Sequence, residues 1–239
     1  MPDVIRAAIV GGSGYGGGEL LRLLLAHPYV EITQVTSERF AGKPVSRVHP
    51  NLRKTCNLKF CTIDELGECD HLFLSLPHGH AMNGLDRFES LAPKLIDLSG
   101  DFRLDDADAF ESWYGEPHAC PQRLGDFVYG IPEINREAIT NASRVTGAGC
   151  NATASILALR PLYQSGLVEQ SVIEVKAGSS EGGNAFSEAS HHPERSGAVR
   201  SYKPTGHRHV AEMHMSLGVT SNIAFSATSI EMVRGILAT

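Results

Sequence analysis

The chain has 239 residues, 42% of them hydrophobic, and a formal net charge of −6. That length supports one large core or two modest ones. The acidic balance lacks the basic excess that nucleic acid or an anionic membrane surface demands, so neither is expected as a partner.

The longest apolar runs, such as residues 20–26, fall far short of the roughly 20 residues of a membrane span. The N-terminal MPDVIRAAIV leads into a glycine-rich turn rather than a small-residue cleavage site, and a cytoplasmic protein is expected. The five cysteines (Cys56, Cys61, Cys69, Cys120, Cys150) are odd in number and show no CxxC spacing, which argues against a disulfide framework and a zinc site alike. No metal is expected.

In chain order, VIRAAIV (4–10) predicts a strand, GGSGYGGG a tight turn, and GELLRLLLAHP a helix with apolar residues at helical spacing. VEITQVTS (30–37) is the next strand and completes a βαβ unit. HLFLSLP (71–77) and KLIDLSG (94–100) are two further strands, with a helical AMNGLDRFESLA between them. This alternation predicts an α/β fold built on a Rossmann-type doubly wound parallel sheet.

After the Pro/Gly-punctuated YGEPHACPQRLGDFVYGIPEI, RVTGAG reads as strand and turn, NATASILALRPLYQSG as helix and SVIEVKAGSS as strand. Residues 181–209 are polar and rich in Gly and His, with too little apolar periodicity for a core element. SNIAFSATS resumes as a strand. The expected division is a dinucleotide-binding domain over 1–149 and an α+β catalytic domain over 150–239.

GGSGYGGG fits a dinucleotide turn through Gly12, Gly14 and Gly17, or Gly11, Gly14 and Gly17. Its position after a strand, opening a helix, is where glycines let the backbone approach a pyrophosphate. At the end of the second strand, Ser37 and Arg39 read as a clamp for the 2′-phosphate of NADP, while Glu38 keeps NAD open. Pro77-His78-Gly79 closes another strand at the same edge, where its turn lines a nicotinamide site.

Cys150 sits between a Gly-Ala-Gly turn and a helix start, where free N–H groups and the helix dipole lower a thiol pKa. Nucleophilic catalysis is the reading, with amides near Asn151 and Ala152 as an oxyanion hole. Gly147 and Gly149 are expected to keep bulk away from the sulfur. A thiol nucleophile needs a proton acceptor, and His191, His192, His207 and His209 are the candidates, the HRH pair foremost. Arg103 follows a strand at its carboxyl end and is suited to gripping a phosphate or carboxylate.

Taken together, GGSGYGGGELLRLLLAHP, SLPHG, IDLSGDFRL, WYG, VYGIPEI, GAGCNATA and KPTGHRHVAEM run in order across the chain. With them the sequence resembles the N-acetyl-γ-glutamyl-phosphate reductase family, within the wider group of aspartate-semialdehyde and glyceraldehyde-phosphate dehydrogenases. The resemblance implies a glyceraldehyde-phosphate-dehydrogenase-like second domain. It also implies an oxidoreductase that reduces an acyl phosphate to a semialdehyde with NADPH through a thioester on Cys150, with His207 or His209 managing protons.

Cofactor contacts carried over by motif are Gly11, Ser13, Gly14, Tyr15, Gly16, Ser37 and Arg39, with Glu38 and Pro77 beside them; Arg103 and Asn151 are the substrate contacts. The Gly-Ala-Gly-Cys-Asn-Ala-Thr context, ERFAGKPVSRVHPNLR and SHHPERSGAVRSYKPTGHRH look like the lysine-biosynthesis branch. There the substrate is 2-aminoadipate 6-phosphate on a small acidic carrier protein, whose approach Arg195, Arg200, Lys203 and Arg208 would steer.

The alternative is the N-acetylglutamate substrate of arginine biosynthesis. A non-catalytic NADP-binding regulator and a cofactor-free cysteine hydrolase each leave one motif idle. A homo-oligomer is expected. Members of the family run on for roughly a hundred further residues, so the chain reads as truncated at its C-terminus.

Overall fold

The computed structural model describes residues 4–188, 191–219 and 223–239. The chain divides into two compact units, Met1–Phe102 with Ala119–Gly147, and Arg103–His118 with Ala148–Thr239.

The elements in chain order begin with β1 (Ile5–Val10), α1 (Tyr15–Leu24), β2 (Val30–Val35), β3 (His71–Leu74), α2 (His80–Asn83), α3 (Leu85–Leu91), β4 (Lys94–Asp97) and α4 (Ala107–Tyr114). They continue with β5 (Val128–Gly130), α5 (Pro132–Asn141), β6 (Arg144–Gly147), α6 (Cys150–Gln164) and β7 (Ser171–Ala177). The last are α7 (His192–Arg195), β8 (Arg200–Lys203), α8 (His209–Leu217), β9 (Ile223–Ser229) and β10 (Ile236–Ala238).

In the first unit the six strands pair in parallel, in the order β2-β1-β3-β4-β6-β5, the doubly wound sheet the alternation predicts. Ala7, Ala8, Ile9 and Val10 of β1 are all fully buried. Such a continuous apolar run belongs to a strand covered on both faces. Ile9, Leu21, Ile32, Val35, Val45, Leu52 and Phe60 pack as one cluster, joining the stripe of α1 to the first two strands and the segment after them. The chain passes from β1 to β2 on one side and then crosses to β3 on the other, so the topological switch point lies between the carboxyl ends of β1 and β3, where open α/β sheets bind ligands.

The second unit holds a mixed sheet, β10-β7-β9-β8: β7 and β9 run parallel, and β10 and β8 are antiparallel additions at the two edges. Helix α6 packs on α8 and β10, and α8 on β9.

Three elements differ from the sequence reading. AMNGLDRFESLA is two helices broken at Gly84. The stretch between β4 and β6 contains α4, β5 and α5. The segment 181–209, expected to lack a core element, supplies β8 and the start of α8. All four β8 side chains are exposed, and it joins the sheet through its backbone pairing with β9, so it carries no apolar periodicity.

Candidate active site

The turn after β1 is shaped by contacts that only glycine tolerates. Gly11 has φ +80, and a Cβ there would lie 2.2 Å from the Ser75 carbonyl oxygen at the end of β3. A Cβ on Gly17 would meet the Gly12 Cα at 2.6 Å, so α1 comes down directly onto the turn. The Gly12 N–H is held by the Thr36 carbonyl at 2.9 Å, and the Gly11 N–H by Thr36 Oγ1 at 3.2 Å. The turn is thereby tied to the end of β2. Helix α1 opens at Tyr15 with Gly14 as its cap, and the N–H groups of its first turn have no acceptor within the helix. The result is a cradle for a pyrophosphate, and the residues fit a dinucleotide.

Ser13 Oγ accepts a hydrogen bond from Ser37 Oγ at 2.8 Å, which brings those two expected contacts together. Glu38 Oε1 accepts from the Ile63 N–H at 2.8 Å, so the acid that kept NAD open is committed to the protein backbone. Arg39 is exposed, with its guanidinium 5.1 Å from the centroid of the Phe40 ring. On the other side of the switch point, the turn Pro77-His78-Gly79 is anchored from beneath by Asp101. This fully buried carboxylate accepts from the Gly79 N–H at 2.8 Å and the Met82 N–H at 3.0 Å, and pairs with His78 Nδ1 at 2.6 Å.

In the second unit Cys150 is the first residue of α6 and is exposed. The Asn151 N–H and Arg103 favour its thiolate, but desolvation, with Glu181 and Glu212 adding to it, pushes the thiol above its ordinary range. This differs from the expectation of a lowered pKa: the helix-terminal N–H is outweighed first by desolvation of the sulfur and then by two nearby carboxylates. Asn151, almost fully buried, places Oδ1 3.8 Å from the sulfur.

The residue that organises the site is Glu212, which is fully buried. Its Oε2 accepts the Gly149 N–H at 2.7 Å. Its Oε1 lies 3.4 Å from Arg103 Nη1 and 3.8 Å from His209 Nε2. Arg103 Nη1 also lies 3.5 Å from His209 Nε2. A Cβ on Gly149 would fall 2.5 Å from Glu212 Oε1 and 2.7 Å from His209 Nε2. Gly149 is therefore small so that the acid and imidazole can reach the backbone beside Cys150, whereas the place of a Cβ on Gly147 is taken by Leu98. The sequence reading had both glycines keeping bulk away from the sulfur.

His209 opens α8 and is buried, and its imidazole pKa is driven far down by burial and by neighbouring cations. His207 stands 4.5 Å away between ring centroids and is lowered to about 4, chiefly by burial. Both imidazoles are neutral near pH 7. No hydrogen bond joins either to the sulfur among the described residues. His191 and His192, the other candidate acceptors, lie against Phe186 and Ser179 respectively.

Missing from the sequence reading were Glu212 as the hub, Asp101 as the anchor of the Pro77 turn, and the pair Glu181–Tyr202. Tyr202 donates to Glu181 Oε2 at 2.9 Å. The HRHVAE spacing, with acid and His three apart at a helix start, is the signal that would have found Glu212. Of the four basic residues assigned to steering a carrier, Arg195 is buried. Arg200, Lys203 and Arg208 are exposed, the last 5.5 Å from the Tyr114 ring. Among the described residues no group of three or more His, Cys, Asp or Glu is placed to hold a metal, and no helix is long and apolar enough to cross a membrane.

Residues 6–142 match the family described as semialdehyde dehydrogenase, NAD binding domain, and residues 150–239 match semialdehyde dehydrogenase, dimerisation domain. The chain is 52% identical to the LysW-L-2-aminoadipate 6-phosphate reductase of Deinococcus radiodurans over 97% of its own length and 67% of that protein. It is 45% identical to the LysW-L-2-aminoadipate/LysW-L-glutamate phosphate reductase of Saccharolobus solfataricus, covering 70% of it. Among solved structures, aspartate semialdehyde dehydrogenase II of Vibrio cholerae superposes with a TM-score of 0.72 at 17% identity, over 99% of this chain and 73% of that one. Aspartate semialdehyde dehydrogenase of Candida albicans, solved with NADP, gives 0.67 at 14%.

Proposed function

The chain belongs to the semialdehyde dehydrogenase family, and from that premise we propose that it reduces LysW-linked L-2-aminoadipate 6-phosphate to the semialdehyde with NADPH, through a thioester on Cys150. The observation that carries the reading is the buried Glu212, gathering the backbone beside Cys150, the neutral imidazole of His209 and the Arg103 guanidinium. The substrate follows from the names of relatives at 45–52% identity; one such name also includes LysW-L-glutamate phosphate, a second substrate of the same kind.

The residues perform the steps as follows. The Cys150 thiol, not a standing thiolate, meets the acyl carbon while its proton passes to the imidazole of His209. That imidazole is neutral at rest and so offers a ring nitrogen to the proton, while the buried Glu212 beside it is the group that raises its basicity during the transfer. The imidazolium then has Glu212 as a counter-charge.

The carbon–oxygen bond to phosphate breaks, the departing phosphate takes up a proton from water, and the thioester forms. The negative oxygen of the tetrahedral stage faces the N–H groups of the first turn of α6, where each such donor is worth a few kcal/mol. Arg103, itself paired with Glu212, is the cation assigned to a substrate carboxylate or phosphate. The nicotinamide, when bound, supplies the hydride that reduces the thioester. His209 returns its proton to the sulfur as the aldehyde leaves.

Glu38, already engaged by Ile63, offers little to a ribose hydroxyl. The exposed Arg39, beside the buried Ser37, favours the 2′-phosphate of NADP. The match of residues 150–239 to a dimerisation domain supports a homo-oligomer.

The test offers the protein carrier-bound aminoadipate 6-phosphate and free N-acetylglutamyl phosphate separately and follows NADPH oxidation. The expected result is turnover of the carrier-bound compound, lost in Cys150→Ser by on the order of 10³-fold or more. Preference for the free compound transfers the protein to the other branch, and undiminished turnover in Cys150→Ser removes the thioester.

A further inference from the structure

The segment after β2, VSRVHPNLR, has no role in the site described so far, yet one of its side chains enters the dinucleotide turn. His49 Nε2 lies 2.8 Å from the Gly12 carbonyl oxygen. A carbonyl only accepts, so Nε2 carries the proton and donates. The ring rests against α1 at Gly18, where a Cβ would fall 2.6 Å from His49 Cε1 and 2.8 Å from Nδ1.

Its backbone is held on both sides. The His49 N–H donates to the Val45 carbonyl at 3.0 Å, and the His49 carbonyl accepts from the Leu52 N–H at 3.0 Å. Val45 and Leu52 are themselves buried in the cluster with Leu21 and Val35. The imidazole is thus delivered to Gly12 by a segment anchored in the core.

Gly12 is left with neither backbone group adjustable, since its N–H is already bound by Thr36 and its C=O by His49. In a trans peptide the C=O of one residue and the N–H of the next point in opposite directions. Pinning the Gly12 carbonyl on the His49 side therefore fixes the Ser13 N–H toward the other side.

The geometry points to His49 as a positioning residue of the nucleotide site. Through Gly12 it presets the orientation of the Ser13 amide that receives the pyrophosphate, and the absent side chain of Gly18 is what admits the ring. The inference rests on the reading of the first unit as the NADP(H) site.

The experiment measures NADPH binding by fluorescence titration, without substrate, for the wild type, His49→Ala, His49→Gln, Gly18→Ala and the double variant His49→Ala/Gly18→Ala. Loss of one neutral hydrogen bond is expected to raise the Kd roughly three- to tenfold in His49→Ala. His49→Gln, whose amide reaches the same carbonyl, is expected to stay within about twofold of wild type. Gly18→Ala displaces the ring and weakens binding about as much as His49→Ala, and adds nothing once His49 is already Ala.

His49→Ala and Gly18→Ala binding as tightly as the wild type would overturn the inference, as would independent, fully additive losses. If His49→Ala fails to fold, Gly18→Ala against His49→Gln decides by the same criterion. A wild type that binds no NADPH instead removes the nucleotide reading itself.

Discussion

Cys150 meets opposing influences at the first residue of α6: the Asn151 N–H and Arg103 favour its thiolate, while desolvation, Glu181 and Glu212 oppose it, and the second group prevails. A raised thiol pKa means that thiolate appears only as the pH climbs past the ordinary cysteine range of about 8.5. Iodoacetamide labelling of Cys150 in the resting protein, read by peptide mass spectrometry, should therefore rise with a midpoint above that range. Glu181→Gln removes a neighbouring negative charge and should shift the profile to lower pH. A midpoint near pH 6 to 7 would mean that the helix terminus dominates after all.

The place of Cys150 at the start of a helix was legible from its Gly-Ala-Gly-Cys-Asn-Ala-Thr surroundings. Glu212 was not, because an acid in the first turn of a helix ordinarily faces water. Its burial depends on Gly149 and Arg103, 63 and 109 residues away in sequence.

Helix α4 illustrates how short elements are specified by their ends. Asp106 caps it, its Oδ1 accepting from the Ala109 N–H at 2.7 Å, and Gly115 closes it with φ +80. Between them Phe110 and Tyr114 stack one turn apart, with ring centroids 4.5 Å from each other. Asp106→Ala should lower the stability of the second unit by about 1 kcal/mol. Chemical denaturation would show this, and an unchanged midpoint would mean that the cap contributes nothing.

The capping pattern from Asp106 to Gly115 was in the sequence, but with only eight residues between its ends the helix left no long periodic stripe. Strand β8 was less legible still, because an exposed edge strand is held by backbone pairing that any residue provides. Strand β1 was readable because an apolar run buried on both faces must be continuous.

At the scale of the molecule, two units with separate sheets should unfold in two steps rather than one. A ligand that binds only the folded first unit stabilises that unit alone, by about 2.7 kcal/mol at a concentration of 100 Kd. In calorimetry, NADPH should move one transition upward and leave the other in place. A single transition, or an equal shift of both, would mean that the units unfold together. The doubly wound sheet and its glycine turn were legible because strand, turn and helix follow one another locally. The excursion that sends residues 103–118 into the second unit has no local signature, since it is set by contacts such as that of Arg103 with Glu212.

The acyl transfer itself can be observed before any reduction. Protein mixed with carrier-bound aminoadipate 6-phosphate in the absence of NADPH should release one equivalent of phosphate and gain the mass of the acylated carrier on the peptide containing Cys150. Adding NADPH should then discharge that adduct as aldehyde. Steady NADPH consumption with no adduct at Cys150, under conditions that trap thioesters, would contradict the account.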